Sequence, residues 1–180
     1  GDHRDLHSFP TRRSSELAIL SARRISGAIG RALIPHRAAG YNHLLVHESG
    51  EMYSLEVSAR RFEILHGTDG YMVHTNHYLT PHMKEVENDP EELISSRVRY
   101  FRALRLLRQS QSHSIKTLQS IQKDHVNIPN SICNHNISGI DPLDREKTIC
   151  ALVIDLTARE MHITWGNPCQ NTYHTYHLDA

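Results

Sequence analysis

The chain has 180 residues and 20.6 kDa, enough for one cored domain, and no break in composition divides it into two. Twenty basic side chains balance twenty acidic ones, which argues against wholesale electrostatic attraction to nucleic acid or to an anionic membrane. No apolar run approaches the roughly 18–20 residues that span a bilayer, and no signal-peptide core opens the chain. Three cysteines, Cys133, Cys150 and Cys169, are an odd and sparse set that fits a reducing, cytoplasmic setting better than a disulfide framework.

Residues 1–16 read as a leader foreign to the domain that follows at 17–180. Arg4 to Ser15 shows no hydrophobic periodicity and carries Pro10 in its middle. The stretch also resembles the conceptual translation of a sequencing-library adapter, so the native N-terminal portion is expected to be missing. A natural disordered tail is the alternative.

From Leu17 to Leu33 an alanine-rich run with apolar Leu20, Ile29 and Leu33 predicts one helix, closed by Pro35. Leu44–Val46 and Met52–Val57 flank Glu48-Ser-Gly-Glu51, a hairpin signal. Phe62–Leu65 and Tyr71–Val73 read as two further strands around Gly67-Thr-Asp-Gly70. Asp89-Pro90-Glu91-Glu92 supplies an N-cap, a proline at the first helical position and acids in the first turn. The helix it starts runs to about Gln109, with Leu93, Tyr100, Leu104 and Leu107 on one stripe and Ile94 and Phe101 beside it.

Ser114 is placed to cap a second, shorter helix that uses Ile115, Leu118 and Ile121. Thr148–Ile154 predicts a well-buried strand, Thr157–Glu160 a turn, and Met161–Trp165 its antiparallel return. Tyr173–Leu178 adds an edge strand. Helices grouped between runs of hairpin-linked strands predict an α+β fold with antiparallel sheets covered by helices.

Several side chains invite a chemical reading. Asn76 follows the Tyr71–Val73 run, where a sheet enzyme would place a donor beside its reacting carbon. Its amide offers two uncharged N–H donors, suited to an oxyanion that forms and collapses in one cycle. A turn residue satisfying its own backbone is the plainer alternative. His74 and Thr75 stand beside it as candidate supports.

His74, His77 and His82 are the histidines to weigh as metal ligands. No helical His-x-x-x-His pair and no Cys or carboxylate signature accompanies them, so no metal is expected. Asp124-His125 suggests an acid–base pair, but as the end of a helix it needs no such role. Arg99, Arg102 and Arg105 fall on the face opposite the leucine stripe and read as a solvated surface, whereas Arg97 falls nearer the stripe and can reach a carboxylate. Arg145 sits in the polar run Asp141–Lys147 ahead of the strand expected to be most buried, where a guanidinium could hold a carboxylate or polarise a nucleophile.

Taken together, Gly40–Leu45, Gly50–Glu56, Gly70–Leu79, Asp124-His125 with Pro129–Cys133 and His135, and Asp155 leading to Trp165–Cys169 resemble the acyl-coenzyme A:6-aminopenicillanate acyltransferase-like family of N-terminal-nucleophile cysteine hydrolases. The resemblance spans about Leu17 to Leu178. It implies an α-β-β-α sandwich, self-cleavage that exposes an N-terminal cysteine, and acyl transfer through a thioester on that cysteine, with its α-amine as base. Asn76 then matches the family's oxyanion donor, and Arg145 an arginine that orients the nucleophile.

The nucleophile itself is expected in a missing N-terminal segment of the same precursor, since none of the three cysteines is placed for it. Substrates would be N-acyl amides or acyl thioesters, with acyl-coenzyme A as a possible acyl donor and no cofactor. A non-catalytic binding protein on the same sandwich and a His-based metallohydrolase are the rival readings.

Overall fold

The structure is a computed structural model that describes residues 12–33, 40–87, 93–136 and 146–178, with side chains from residue 16 onward in the first stretch. Three expectations lie outside those residues: most of the 1–16 leader, the Asp89–Glu92 helix start, and Arg145 with the linker before it. The chain forms two compact units, one built from residues up to Met72 together with Tyr78–Val86, the other from Val73–His77 and Glu87 onward. Each holds one three-stranded antiparallel sheet, so the α+β class stands.

In the first unit, α1 (Arg12–Leu20) and α2 (Ile25–Ala32) replace the single expected helix, and α1 starts inside the expected leader. The break has a local cause. Ser21 donates its hydroxyl to the Ala18 carbonyl at 3.0 Å, and Arg31 reaches back to the same carbonyl at 2.7 Å and to Ser21 Oγ at 2.8 Å. The end of α1 is thereby satisfied by side chains, and the chain turns back instead of continuing. Small residues let the two helices approach: Ala28 and Ala32 are buried with Ile19, Leu55 and Val57.

Strands β1 (Tyr41–Val46), β2 (Met52–Val57) and β3 (Phe62–His66) form a meander with β2 central. Gly50, at φ 90°, supplies the left-handed residue of the β1–β2 turn, and its N–H donates to the His47 carbonyl at 2.9 Å. Alternation along β2 splits the strand between two environments. Leu55 and Val57 face the helices, whereas buried Ser54 and Glu56 face the other way. Ser54 donates to Asn42 Oδ1 at 2.6 Å. Glu56 accepts from the Leu79 N–H, from the Thr80 N–H at 3.1 Å and from the Thr80 hydroxyl at 2.9 Å, which fixes the chain ahead of the short helix α3 (Pro81–Lys84). Tyr78 adds a hydroxyl bond to the Val57 carbonyl at 2.9 Å.

In the second unit, α4 (Ile94–Gln109) and α5 (Ile115–Gln122) accompany β4 (Cys150–Asp155), β5 (Glu160–Trp165) and β6 (His174–His177). Ser114 caps α5 as expected, accepting from the Thr117 N–H at 3.2 Å. β4 pairs antiparallel with β5 from Cys150↔Trp165 to Asp155↔Glu160, and β6 is the edge. The well-buried strand is a correction. Only Val153 of β4 is buried, while Leu152 and Ile154 on the opposite face are 43% and 50% exposed. A continuous apolar run therefore marks a strand with two apolar faces, of which α5 and its surroundings cover one. In α4, Ile94 and Phe101 are likewise exposed.

Candidate functional site

Residues 71–75 carry no strand pairing, contrary to the expected strand at Tyr71–Val73. Their polar groups are met instead by α4. Ser96, buried in the first turns of that helix, accepts from the Asn76 backbone N–H at 2.7 Å. The Thr75 hydroxyl donates to the Ser96 carbonyl at 3.0 Å, and the Ser96 hydroxyl donates to Thr75 Oγ1 at 3.0 Å. With both hydroxyl protons committed, the buried His77 ring completes the set by donating from Nδ1 to Ser96 Oγ at 2.9 Å. Its other face is set by Tyr100, edge-on at 5.4 Å between ring centroids. His74 is turned back on its own backbone, with Nδ1 2.6 Å from the Thr75 carbonyl.

This network presents Asn76. Its side chain is exposed, and Arg99 Nη2 donates to Asn76 Oδ1 at 2.9 Å. Arginine has no acceptor atom, so the carbonyl end of the amide faces Arg99 and the two N–H donors face away. A cation on the amide oxygen also draws electron density from nitrogen and strengthens those donors. Burial pulls the Arg99 pKa below the usual arginine range, and Glu146 acts in the opposite sense. The guanidinium remains charged at any physiological pH.

The solvated-face reading of α4 is thus corrected for two of its three arginines. Arg99 serves Asn76, and Arg102 forms a two-pronged bond to Asp124, at 3.0 and 2.6 Å. Arg105 is exposed as expected. Arg97 meets Glu87 at 3.3 Å, the carboxylate pairing that its place on the helix allowed. Ser96 and Arg99 were missed from sequence. The only signal was a small hydroxyl and a cation one helical turn apart on one side of α4, which by itself names no partner.

Residues 18–170 match the family model for acyl-coenzyme A:6-aminopenicillanic acid acyl-transferase. The chain belongs to this family. Comparison with curated proteins finds no match. Membership makes the chain part of a family of acyl-transferring enzymes, and the matched span contains the whole arrangement from Thr75 to Arg99. Among the described residues no helix is long and apolar enough to cross a membrane.

A second convergence appears in the same unit and involves other histidines. His125, Cys133, His135 and Cys169 bring one ligand atom each within 4.8 Å of one another. Neither His74, His77 nor His82 joins such a group among the described residues.

Proposed function

We propose that this chain is the C-terminal part of a cysteine N-terminal-nucleophile amidohydrolase or acyltransferase acting on N-acyl amides, and that Asn76 is its oxyanion donor. The observation that carries this is the orientation of the Asn76 amide. Its oxygen is held by Arg99 and its backbone by Ser96, so the N–H donors are aimed outward before any substrate arrives. Preorganised, uncharged donors of this kind stabilise a tetrahedral oxyanion without reorganising at the moment of reaction.

The thiolate and its α-amine base belong, on this reading, to an N-terminal segment of the precursor. The thiolate adds to the acyl carbon, the C–N bond breaks as the amine takes the proton, and water or an amine resolves the thioester. Thr75 is a positioning residue, and His74 orders the local backbone. Arg145 is the proposed orienter of the nucleophile by family resemblance. The α-β-β-α sandwich is the matching architecture. It calls for a layer over the exposed apolar face of β4, where Leu152 and Ile154 lie open.

The test is the precursor gene product. Purified from its complete reading frame, it should self-cleave to a mature N-terminal cysteine visible by mass spectrometry and form a hydroxylamine-sensitive acyl-enzyme with an acyl thioester. An uncleaved protein that binds acyl amides without turnover would place the chain among non-catalytic binders instead.

A further inference from the structure

The ligand atoms of His125, Cys133, His135 and Cys169 all lie within 4.8 Å of one another, and four of the six edges between them are at the scale of a coordination tetrahedron. Cys133 Sγ lies 3.6 Å from Cys169 Sγ, and His125 Nε2 lies 3.0 Å from His135 Nε2. His135 Nε2 lies 3.6 Å from Cys133 Sγ and 3.3 Å from Cys169 Sγ. Bonds of about 2.3 Å to sulfur and about 2.0–2.1 Å to nitrogen, at tetrahedral angles, require edges of about 3.8 Å for S···S, about 3.3 Å for N···N and about 3.6 Å for N···S. These four edges fall within about 0.3 Å of those values, and the two from His125 to the sulfurs lie within 4.8 Å.

Chain adjacency accounts for the Cys133–His135 pair alone. His125 follows α5, Cys133 and His135 lie in the irregular, bent stretch after it, and Cys169 lies in the turn between β5 and β6. Each is delivered by its own backbone bonds. The Cys133 N–H donates to the Asp124 carbonyl at 2.9 Å, which places Cys133 beside His125. Asn167 donates to the Asn134 carbonyl at 2.6 Å and reaches Cys133 Sγ at 3.5 Å, and the Asn171 side chain closes the Cys169 turn on the Asn167 carbonyl at 2.9 Å. Asp124 is in turn fixed by Arg102. Outer bonds of this kind orient ligands in metal sites, including an N–H donor to a thiolate sulfur.

We propose that these four side chains form a Cys2His2 site for a divalent zinc-class metal, structural in role and independent of the acyl-transfer reading above. Two thiolates and two imidazole nitrogens suit zinc, and four protein ligands leave no position for substrate or water. Binding displaces the two thiol protons to solvent, so the neutral dithiol becomes a dithiolate held by the dication. The metal would tie the β5–β6 turn to the segment after α5, two stretches that the Asn167 side chain also joins through the Asn134 carbonyl and Cys133 Sγ. Cys133 is fully buried, whereas His125 and Cys169 are exposed, which leaves a route for loading.

The experiment uses the 180-residue chain purified under reducing conditions without chelator. It should carry one zinc per chain by elemental analysis. Chelation should lower Tm, with zinc but not magnesium restoring it. Cobalt(II) exchanged for zinc should give the intense visible bands of a tetrahedral site and a thiolate charge-transfer band in the near ultraviolet. Cys133→Ser and Cys169→Ser should each weaken zinc by more than the roughly 10–100-fold typical of losing an outer partner.

Two further variants keep the result interpretable. Cys169→His should keep the metal with a reduced charge-transfer band, and Cys150→Ser should change nothing. Substoichiometric zinc after reconstitution, a weak octahedral cobalt spectrum, or a mass 2 Da lower that reverts on reduction would each overturn the proposal. The last of these would show a Cys133–Cys169 disulfide instead.

Discussion

Asn76 and Arg99 are joined by a single bond of 2.9 Å, from a guanidinium that can only donate to an amide oxygen that can only accept. One residue thereby decides which way the other's amide faces. In the mature enzyme that carries its nucleophile, Asn76→Ala should lower kcat by roughly 10²–10³ with little change in KM, because the N–H is used mainly once charge develops on oxygen. Arg99→Met should lower kcat by a smaller factor, about tenfold, since the amide survives but loses its fixed orientation. The double variant should be no slower than Asn76→Ala alone, as expected for two groups acting as one. Steady-state kinetics on all three decide it. Additive losses would show that Arg99 acts elsewhere.

Ser96→Ala removes the acceptor for the Asn76 backbone N–H and a partner of both Thr75 and His77. Leaving such buried groups unpaired costs about 1–3 kcal/mol each. A clear drop in Tm is expected, together with a fall in kcat per folded molecule, because the same bond holds the Asn76 backbone. Unchanged thermal unfolding would show that the network contributes little.

The Asp124–Arg102 pair is largely shielded, with side chains 12% and 18% exposed. The hydrogen-bonded Arg102 guanidinium, and then its charge, hold the Asp124 carboxyl below the usual aspartate range. The folded pKa lies under the unfolded one, so the pair contributes its full stability above the unfolded value. That contribution is lost as pH falls from about 4 through the depressed folded pKa. Urea unfolding across pH 2–7 should show this acid loss, and Asp124→Asn should remove that part of the slope. Arg102→Ala near neutral pH leaves the carboxylate without its cation, though still bonded to the Val126 N–H, and should cost about 1–3 kcal/mol.

Gly40 tests the packing of the first unit. A Cβ there would overlap the Tyr78 hydroxyl and press on the Val57 carbonyl, 3.2 Å away. Gly40→Ala should therefore break the Tyr78–Val57 bond and cost about 1–3 kcal/mol as an overpacked site. Tyr78→Phe in the Gly40→Ala background should recover part of that loss, read as a rise in Tm.

The chain as it stands should show no turnover of acyl amides or acyl thioesters, because oxyanion donors alone supply no covalent route. Turnover abolished by Cys133→Ala would place the nucleophile at Cys133 and contradict the assignment made here.

The local elements were legible wherever local chemistry suffices. Met52–Val57 and its hairpin, the Ser114 cap, and the antiparallel return of Met161–Trp165 follow from period, turn residues and capping, which act within a few residues. The family resemblance was legible too, because its blocks are short and contiguous, and the match over residues 18–170 bears it out. What failed was set by distant partners. Leu17–Leu33 has the composition of one helix, but Arg31 folding back on the Ala18 carbonyl makes two.

Tyr71–Val73 has the composition of a strand, but Ser96 takes the hydrogen bonds of the segment that follows. Arg99 and Arg102 read as solvated because helical position gives direction and not neighbours; Asn76 and Asp124 are brought to them only by the path of the chain. The same holds for His125, Cys133, His135 and Cys169, whose spacing matches no sequence signature for a metal. Hydrogen bonds and coordination act over about 3 Å, a distance that sequence separation does not encode and that only the folded backbone sets.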